Sequence, residues 1–289
     1  MIPRDLDDIA THRTARIGSI TMHWVEAGAG PTVVLLHGFP EMWWSWRHQI
    51  RPLAEAGFRV VVPDQRGYAD TDKQGPYDLN TLAGDICNLI DHLGVGGRAR
   101  IVGHDWGGAV AWHLGATRQE HVERLAVLNC PHPALMRTRV FRPRQALRSW
   151  YMFMFQVPGL AEWLLTKDGA MNLMRVLKGN VVNKAHVSDE ELQPFREAIR
   201  KPGAAQAMVG WYRAIPRQIL NPPKFSRITV PTLLVWGLRD SALGFDELVP
   251  GTEAEAPNLK VVPVEGAGHF VQSDRPELVN QALTEFLAA

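Results

Sequence analysis

The stretch Arg100-Ile-Val-Gly-His-Asp105-Trp-Gly-Gly-Ala-Val-Ala-Trp112 decides the fold of this chain. Its first half is apolar and β-branched, as a buried strand requires, and it runs directly into a segment of helical pattern. Gly103, Gly107 and Gly108 crowd around Asp105 at the junction. A strand that turns abruptly into a helix holds its tip residue at positive φ, and side chains two positions to either side collide with it. The spacing G-x-D-x-G-G therefore predicts a nucleophile elbow with an aspartate at its tip. Helix capping would also place an acid here, but a cap has no need of three flanking glycines.

Outward from the elbow, short runs of β-branched residues recur at 32–37, 58–64, 125–129, 232–236 and 259–264, and helical patterns lie between them at 44–56, 79–93, 107–118 and 274–288. Continuous apolar runs mark strands covered on both faces, so the alternation predicts an α/β fold with a mostly parallel sheet between helices. Residues 14–26 alternate instead, predicting a hairpin that turns at Gly18-Ser19. The alternation stops after Asn129-Cys-Pro131 and resumes near Pro231. The interval is helical in pattern and dense in Trp, Met, Phe and Tyr. It predicts a core at 1–133 and 222–289, with an inserted helical domain at 134–221 covering the carboxyl ends of the strands.

Composition narrows the function. With 289 residues and 46% hydrophobic positions the chain can bury a substantial core, as one large domain or two modest ones. A formal net charge of +1 gives no overall field to draw nucleic acid or an anionic membrane, and neither partner is expected. Arg137, Arg139, Arg142, Arg144 and Arg148 form the one basic cluster, read as a solvated surface. Cys87 and Cys130 are too few for a disulfide framework and suit a reducing compartment. The acidic opening Met1–Asp8 has no apolar core of a secretory signal, so a cytoplasmic protein is expected. The most apolar window, 150–165, is interrupted by Gln156, Pro158, Gly159 and Glu162, and does not predict a membrane span. The chain lacks H-E-x-x-H, a P-loop and a post-strand G-x-G-x-x-G, so neither metal nor nucleotide cofactor is expected.

An aspartate at the elbow changes the chemistry that the more common serine performs. A carboxylate, with an ordinary pKa of about 3.9, is ionised near pH 7 and needs no base to attack an sp³ carbon. The resulting ester must then be hydrolysed, and the base is required for water. His269, in Glu265-Gly-Ala-Gly-His-Phe270 after the last strand, is placed to act with an ordinary pKa of about 6.5. Asp240, just beyond the strand 232–236, supplies its orienting acid, and the chain order Asp105, Asp240, His269 matches nucleophile, acid, base. Asn129, after the preceding strand, cannot carry that charge. The backbone N–H groups of Phe39, in His37-Gly-Phe-Pro40, and of Trp106 are the expected oxyanion donors. Glu41 has two readings: a carboxylate aimed at the hydrolytic water, or an ion pair with Arg47 or Arg66.

The sequence resembles the α/β-hydrolase superfamily, and within it the epoxide hydrolases, over nearly its whole length. The matching segments are His37-Gly-Phe-Pro-Glu-Met-Trp-Trp-Ser-Trp-Arg47, Asp64-Gln-Arg-Gly-Tyr-Ala-Asp70 and Gly103-His-Asp-Trp-Gly-Gly108. Ala69 and Met42 depart from the family's usual Gly and Ser without touching the mechanism. The resemblance implies an α/β-hydrolase fold with a helical cap. It also implies that Tyr151, in Tyr151-Met-Phe-Met-Phe-Gln-Val-Pro-Gly159, and Tyr212, in Trp211-Tyr-Arg213, are the ring-opening acids. Opening an epoxide leaves an alkoxide that needs a donor opposite the attacking carboxylate, and a tyrosine with an ordinary pKa near 10 keeps its proton for that purpose.

Haloalkane dehalogenases share the Asp elbow, but they commonly place an Asn where Phe39 stands and have no use for two cap tyrosines. Asp105 itself excludes a serine esterase. A hydrolase-fold binding protein without catalysis would have no reason to keep Asp105, Asp240, His269 and both tyrosines. The expected function is hydrolysis of a small-molecule epoxide by water to a vicinal diol, without a cofactor. The oligomeric state stays open, a homodimer included.

Overall fold

The computed structural model describes Leu6 and Asp8–Ala289. The opening residues on which the signal-peptide expectation rests lie largely outside the described residues. Eight strands form one sheet: β1 Thr11–Ile17, β2 Ile20–Ala27, β3 Thr32–Leu36, β4 Arg59–Pro63, β5 Ala99–His104, β6 Val122–Leu128, β7 Thr232–Gly237 and β8 Leu259–Val264. Their order is β1-β2-β4-β3-β5-β6-β7-β8. β1 and β2 form the antiparallel hairpin, β2 pairs antiparallel with β4, and all remaining pairs are parallel. β3 and β7 are buried at every position, as their unbroken apolar runs require.

Helices α1 Arg47–Glu55, α2 Leu79–His92 and α3 Asp105–Thr117 follow β3, β4 and β5. The passage into α2 is set by a local cap. The side chain of Asp78 accepts the backbone N–H of Thr81 at 3.1 Å and starts α2, a cap of a kind that contributes ~1 kcal/mol. Between β6 and β7 come only helices: α4 Pro133–Arg139, α5 Pro143–Arg148, α6 Trp150–Met154, α7 Leu160–Gly179, α8 Asp189–Ile199, α9 Ala204–Arg213 and α10 Ile215–Leu220. The segment α7 is broken at Lys167–Ala170, where the backbone leaves helical geometry. Ser188 and Glu191 close a reciprocal cap on α8. Helices α11 Phe245–Leu248, α12 Val271–Asp274 and α13 Pro276–Ala288 complete the chain.

The insertion is thus cut into short pieces that wrap over the sheet, and indoles tie it down. Trp211 of α9 is fully buried, and its Nε1 donates to the carbonyl of Arg66 at 3.0 Å. Trp44 donates likewise to Glu191 of α8 at 3.0 Å. Registers Leu36↔Gly103, His104↔Leu128 and Leu128↔Val235 level the carboxyl ends of β3, β5, β6 and β7 along one edge of the sheet. The loops leaving those ends are where chemistry can assemble.

Candidate active site

Asp105 sits at φ +49°, in the left-handed region that a branch at the tip of a tight turn must tolerate. Gly107 permits the turn: a Cβ there would lie 2.2 Å from the carbonyl oxygen of Leu36. Gly38 is as tightly constrained, since a Cβ on it would lie 2.5 Å from Cβ of Asp105. That close approach lets the next residue, Phe39, donate its backbone N–H to Oδ1 of Asp105 at 2.8 Å. Trp106 occupies the first turn of α3, where a backbone N–H has no intrahelical acceptor.

On the other side of Asp105, Nε2 of His269 lies 3.5 Å from Oδ2, and Nδ1 of the same ring lies 2.8 Å from Oδ2 of Asp240. Asp240 is held by donors alone. Its Oδ1 accepts the N–H groups of Ala242 and Leu243 at 2.8 Å each, and its Oδ2 also accepts Nδ2 of Asn129 at 2.7 Å. The position that could not carry a charge therefore braces the one that does, and Oδ1 of Asn129 accepts Gly237 N–H at 3.0 Å. That donor to Asp240, from Asn129 at the end of β6, is not visible in the spacing of the sequence.

Burial alone would raise the Asp105 carboxyl, but the hydrogen bond and charge of His269 outweigh it and hold the group below the usual carboxylate range. Burial pulls His269 down, but the two flanking carboxylates, Asp240 and Asp105, raise it well above the ordinary imidazole value. The two flanking carboxylates thus favour an imidazolium between them, a carboxylate–imidazolium–carboxylate row. The direction is opposite to that of a ring left at its ordinary value of about 6.5.

Glu41 takes neither of its expected ion pairs. Arg47 reaches Glu191 at 3.5 Å, and Arg66 grips Asp85 at 2.6 Å. Glu41 instead accepts Gly38 N–H at 3.0 Å, meets Nδ1 of His104 at 2.8 Å and accepts Nε2 of Gln272 at 3.1 Å. His104, in the elbow motif beside the nucleophile, and Gln272, which no sequence motif marks, are both fully buried around this carboxylate.

The insertion faces Asp105 across a cavity of about 170 Å³, lined by Asp105, Trp106, Tyr151 and Tyr212 together with apolar side chains such as Met136, Met152 and Phe225. The Tyr212 ring packs edge-on to Phe39 at 5.0 Å and to Trp106 at 5.1 Å, and its centroid is 6.0 Å from that of Tyr151. Burial first, and then neighbouring negative charge, raise both phenols above their ordinary value, with the Tyr212 hydroxyl tempering the shift on Tyr151. Two protonated hydroxyls thus share an apolar chamber with an ionised carboxylate. The structure brings together Asp105, Asp240, His269, Phe39, Trp106, Tyr151 and Tyr212, all named from the sequence.

Among the described residues, His23, Asp64 and Asp70 form one group with metal-ligand spacing, their candidate atoms within 4.8 Å of one another. Those atoms are already engaged: His23 bonds His12 and Asp64 at 2.7 Å each, and Asp70 pairs with Lys201. The group lies apart from the cavity, in the seam between β2 and the segment after β4.

Comparison with known proteins agrees with this geometry. Residues 31–276 match the family described as alpha/beta hydrolase fold. A relative from Bacillus subtilis, AB hydrolase superfamily protein YfhM, is 41% identical over 93% of this chain and 94% of its own. Epoxide hydrolase A of Mycobacterium tuberculosis is 33% identical over 96% and 97% of the respective chains. The crystal structure of Epoxide Hydrolase A from Mycobacterium thermoresistibile superposes with a TM-score of 0.84 at 30% identity, covering 97% of this chain and 98% of that one. With its elbow, its sheet order and its helical insertion, this chain belongs to the α/β-hydrolase family, among the epoxide hydrolases.

Proposed function

We propose that the protein opens epoxides through a covalent ester on Asp105 and hydrolyses that ester to a vicinal diol. The observation that carries this reading is the pair of protonated phenols, Tyr151 and Tyr212, lining the same cavity as the ionised Asp105. The helical insertion acts as the cap that supplies them.

A carboxylate oxygen of Asp105 attacks one epoxide carbon, the carbon–oxygen bond to the ring oxygen breaks, and that oxygen takes a proton from a tyrosine. The tyrosinate regains its proton at the expense of the His269 imidazolium. Alkylation also removes the Asp105 charge that helped hold His269 protonated, so the ring becomes a neutral base when one is needed. Neutral His269, oriented by Asp240, takes a proton from water as its oxygen adds to the ester carbonyl. The N–H groups of Phe39 and Trp106 stabilise the oxyanion. Collapse expels the diol oxygen, which takes the remaining water proton from the carboxyl, and the site returns to its carboxylate–imidazolium–carboxylate row. The substrate and water are the only reactants.

Turnover of a panel of aryl and aliphatic epoxides beside matched haloalkanes tests the reading. Diol formation with negligible halide release supports it; the reverse would assign the site to dehalogenation, for which Phe39 offers no side-chain halide donor. A single turnover in heavy-oxygen water should place the label first in the carboxylate of Asp105, since water adds at that carbon.

A further inference from the structure

Along α5, α6 and the start of α7, the side chains of Leu147, Trp150, Phe153, Val157, Leu160 and Trp163 recur every three or four residues and all face solvent. Leu147 is 78% exposed, Trp150 61%, Phe153 55% and Trp163 56%. Single exposed hydrophobics are ordinary on a protein surface, but six between Leu147 and Trp163, on three successive helices and the turn before the third, form an exposed apolar stripe of the kind that marks a contact face. Core packing does not explain it, because Phe155, Ala161 and Leu165 of the same segment are the side chains buried inward.

The chain segment that carries the stripe is one-sided in charge, and the acids packed beside it are Asp246 and Glu247 of α11. From Arg124 to Ala161 the sequence contains six arginines and no Asp or Glu. Arg139, Arg142 and Arg148 donate to the backbone carbonyls of Glu247, Pro250 and Asp240, contacts that hold the guanidinium groups in place. Glu162, the next acid along the chain, is paired with Arg213, and Lys167 stands 4.5 Å over the Trp163 ring. The net charge of +1, which argues against an anionic partner, averages over this segregation.

We infer that the outer face of the insertion docks on an anionic lipid bilayer. An exposed apolar stripe with large aromatics and a border of arginines is the composition of a surface that enters the headgroup boundary, with indoles at the interface and guanidinium groups on phosphates. A second copy of this chain suits the face less well, since a two-fold contact sets the arginine cluster against itself. Helix α6 links the face to the cavity: Tyr151 and Met152 line the chamber while Trp150 and Phe153 point outward. Delivery of an apolar substrate from the bilayer would rest on the reaction proposed above; the docking itself does not.

The test is co-sedimentation of the full chain with vesicles of pure phosphatidylcholine and of phosphatidylcholine containing about 30% phosphatidylglycerol. Partitioning onto the anionic vesicles should be about tenfold or more the stronger, and should weaken several-fold between about 50 and 500 mM salt. The triple variant Trp150→Ser/Phe153→Ser/Trp163→Ser and the charge reversal Arg142→Glu/Arg144→Glu should each lower it about tenfold, with circular dichroism and thermal midpoint unchanged. Absence of binding to the anionic vesicles, or equal binding by the charge-reversed protein, overturns the inference. So does a dimer at micromolar concentration that the triple variant dissociates, which would give the face to a second copy. Failure of the epoxide reaction would alter none of these results.

Discussion

Nδ1 of His104 lies 2.8 Å from Oε2 of Glu41, while its other ring nitrogen donates to the carbonyl oxygen of His269 at 2.9 Å. The ring therefore bridges the loop after β3 to the loop after β8, and sets the backbone from which the imidazole of His269 projects. With Gly38 N–H also on Glu41, one carboxylate fixes both the loop carrying Phe39 and the loop carrying the base.

Removing that carboxylate should loosen both loops. Glu41→Ala leaves Gly38 N–H, the His104 ring and the Gln272 amide without their acceptor, and buried groups so stranded cost about 1–3 kcal/mol each. A fall of several degrees in thermal midpoint is expected, with ester hydrolysis slowed more than alkylation. Glu41→Gln, which keeps an acceptor for Gly38, should recover much of the stability. An unchanged melting curve for Glu41→Ala would show that the bridge does not hold the loops.

Asp240 is met by four donors, so either orientation of an amide at this position turns an NH₂ group toward a donor. Asp240→Asn should retain the alkylation burst while ester hydrolysis slows by about 10²–10⁴-fold. Stopped-flow measurement separates the two phases. Equal loss in both would make Asp240 a structural support only.

Single Tyr151→Phe and Tyr212→Phe variants should alkylate appreciably more slowly but measurably, because the second phenol remains a donor. The double variant should fall much further, since the alkoxide then forms in an apolar chamber with no acid. Phenylalanine keeps the ring packing with Phe155 and Trp106, so thermal stability should change little. A double variant with intact epoxide turnover would place the acid elsewhere.

Buried histidines outside the site should make stability fall in acid. His113 and His132 are buried, and burial lowers each to about 4, below the ordinary value of about 6.5. Between those values the unfolded chain binds protons that the folded chain does not, so their contribution is complete above about pH 6.5 and is lost as pH falls toward about 4. At about 1.36 kcal/mol per pH unit, each is worth at most ~3 kcal/mol across that window. His269 has the opposite sign: its raised value adds stability at low pH that is lost only as pH rises through that value. Thermal midpoints at pH 7 and pH 5 should differ less in His113→Leu/His132→Leu than in the wild type. An identical difference would remove these two histidines from the acid limb.

Much of this arrangement was legible in the sequence because backbone constraints leave marks at fixed spacing. Gly103 and Gly107 announce the elbow, since no side chain fits where those residues pass the neighbouring backbone, and unbroken apolar runs announce the parallel strands. Chain order then brought Asp240 and His269 to the same edge of the sheet. Side-chain pairing left no such mark. Glu41 could not be matched to His104, 63 positions away, nor could Asn129 be matched to Asp240, because those pairs depend on how the loops after different strands lie. The upward pull on His269 leaves no mark in the sequence for the same reason, since the two carboxylates flanking it come from loops after different strands. The break in α7 at Lys167–Ala170 was also missed, as Asp168 and Ala170 adopt positive φ without a glycine at either position.

His269→Gln isolates the ester on Asp105. That variant keeps the attacking carboxylate and both phenols but cannot take a proton from water, so a single epoxide should remain attached. Intact-mass measurement after mixing should show an increase of one substrate mass, and peptide mapping should place it on Asp105. A substrate that binds the variant yet leaves the mass unchanged would mean that water opens the ring directly, without a covalent step.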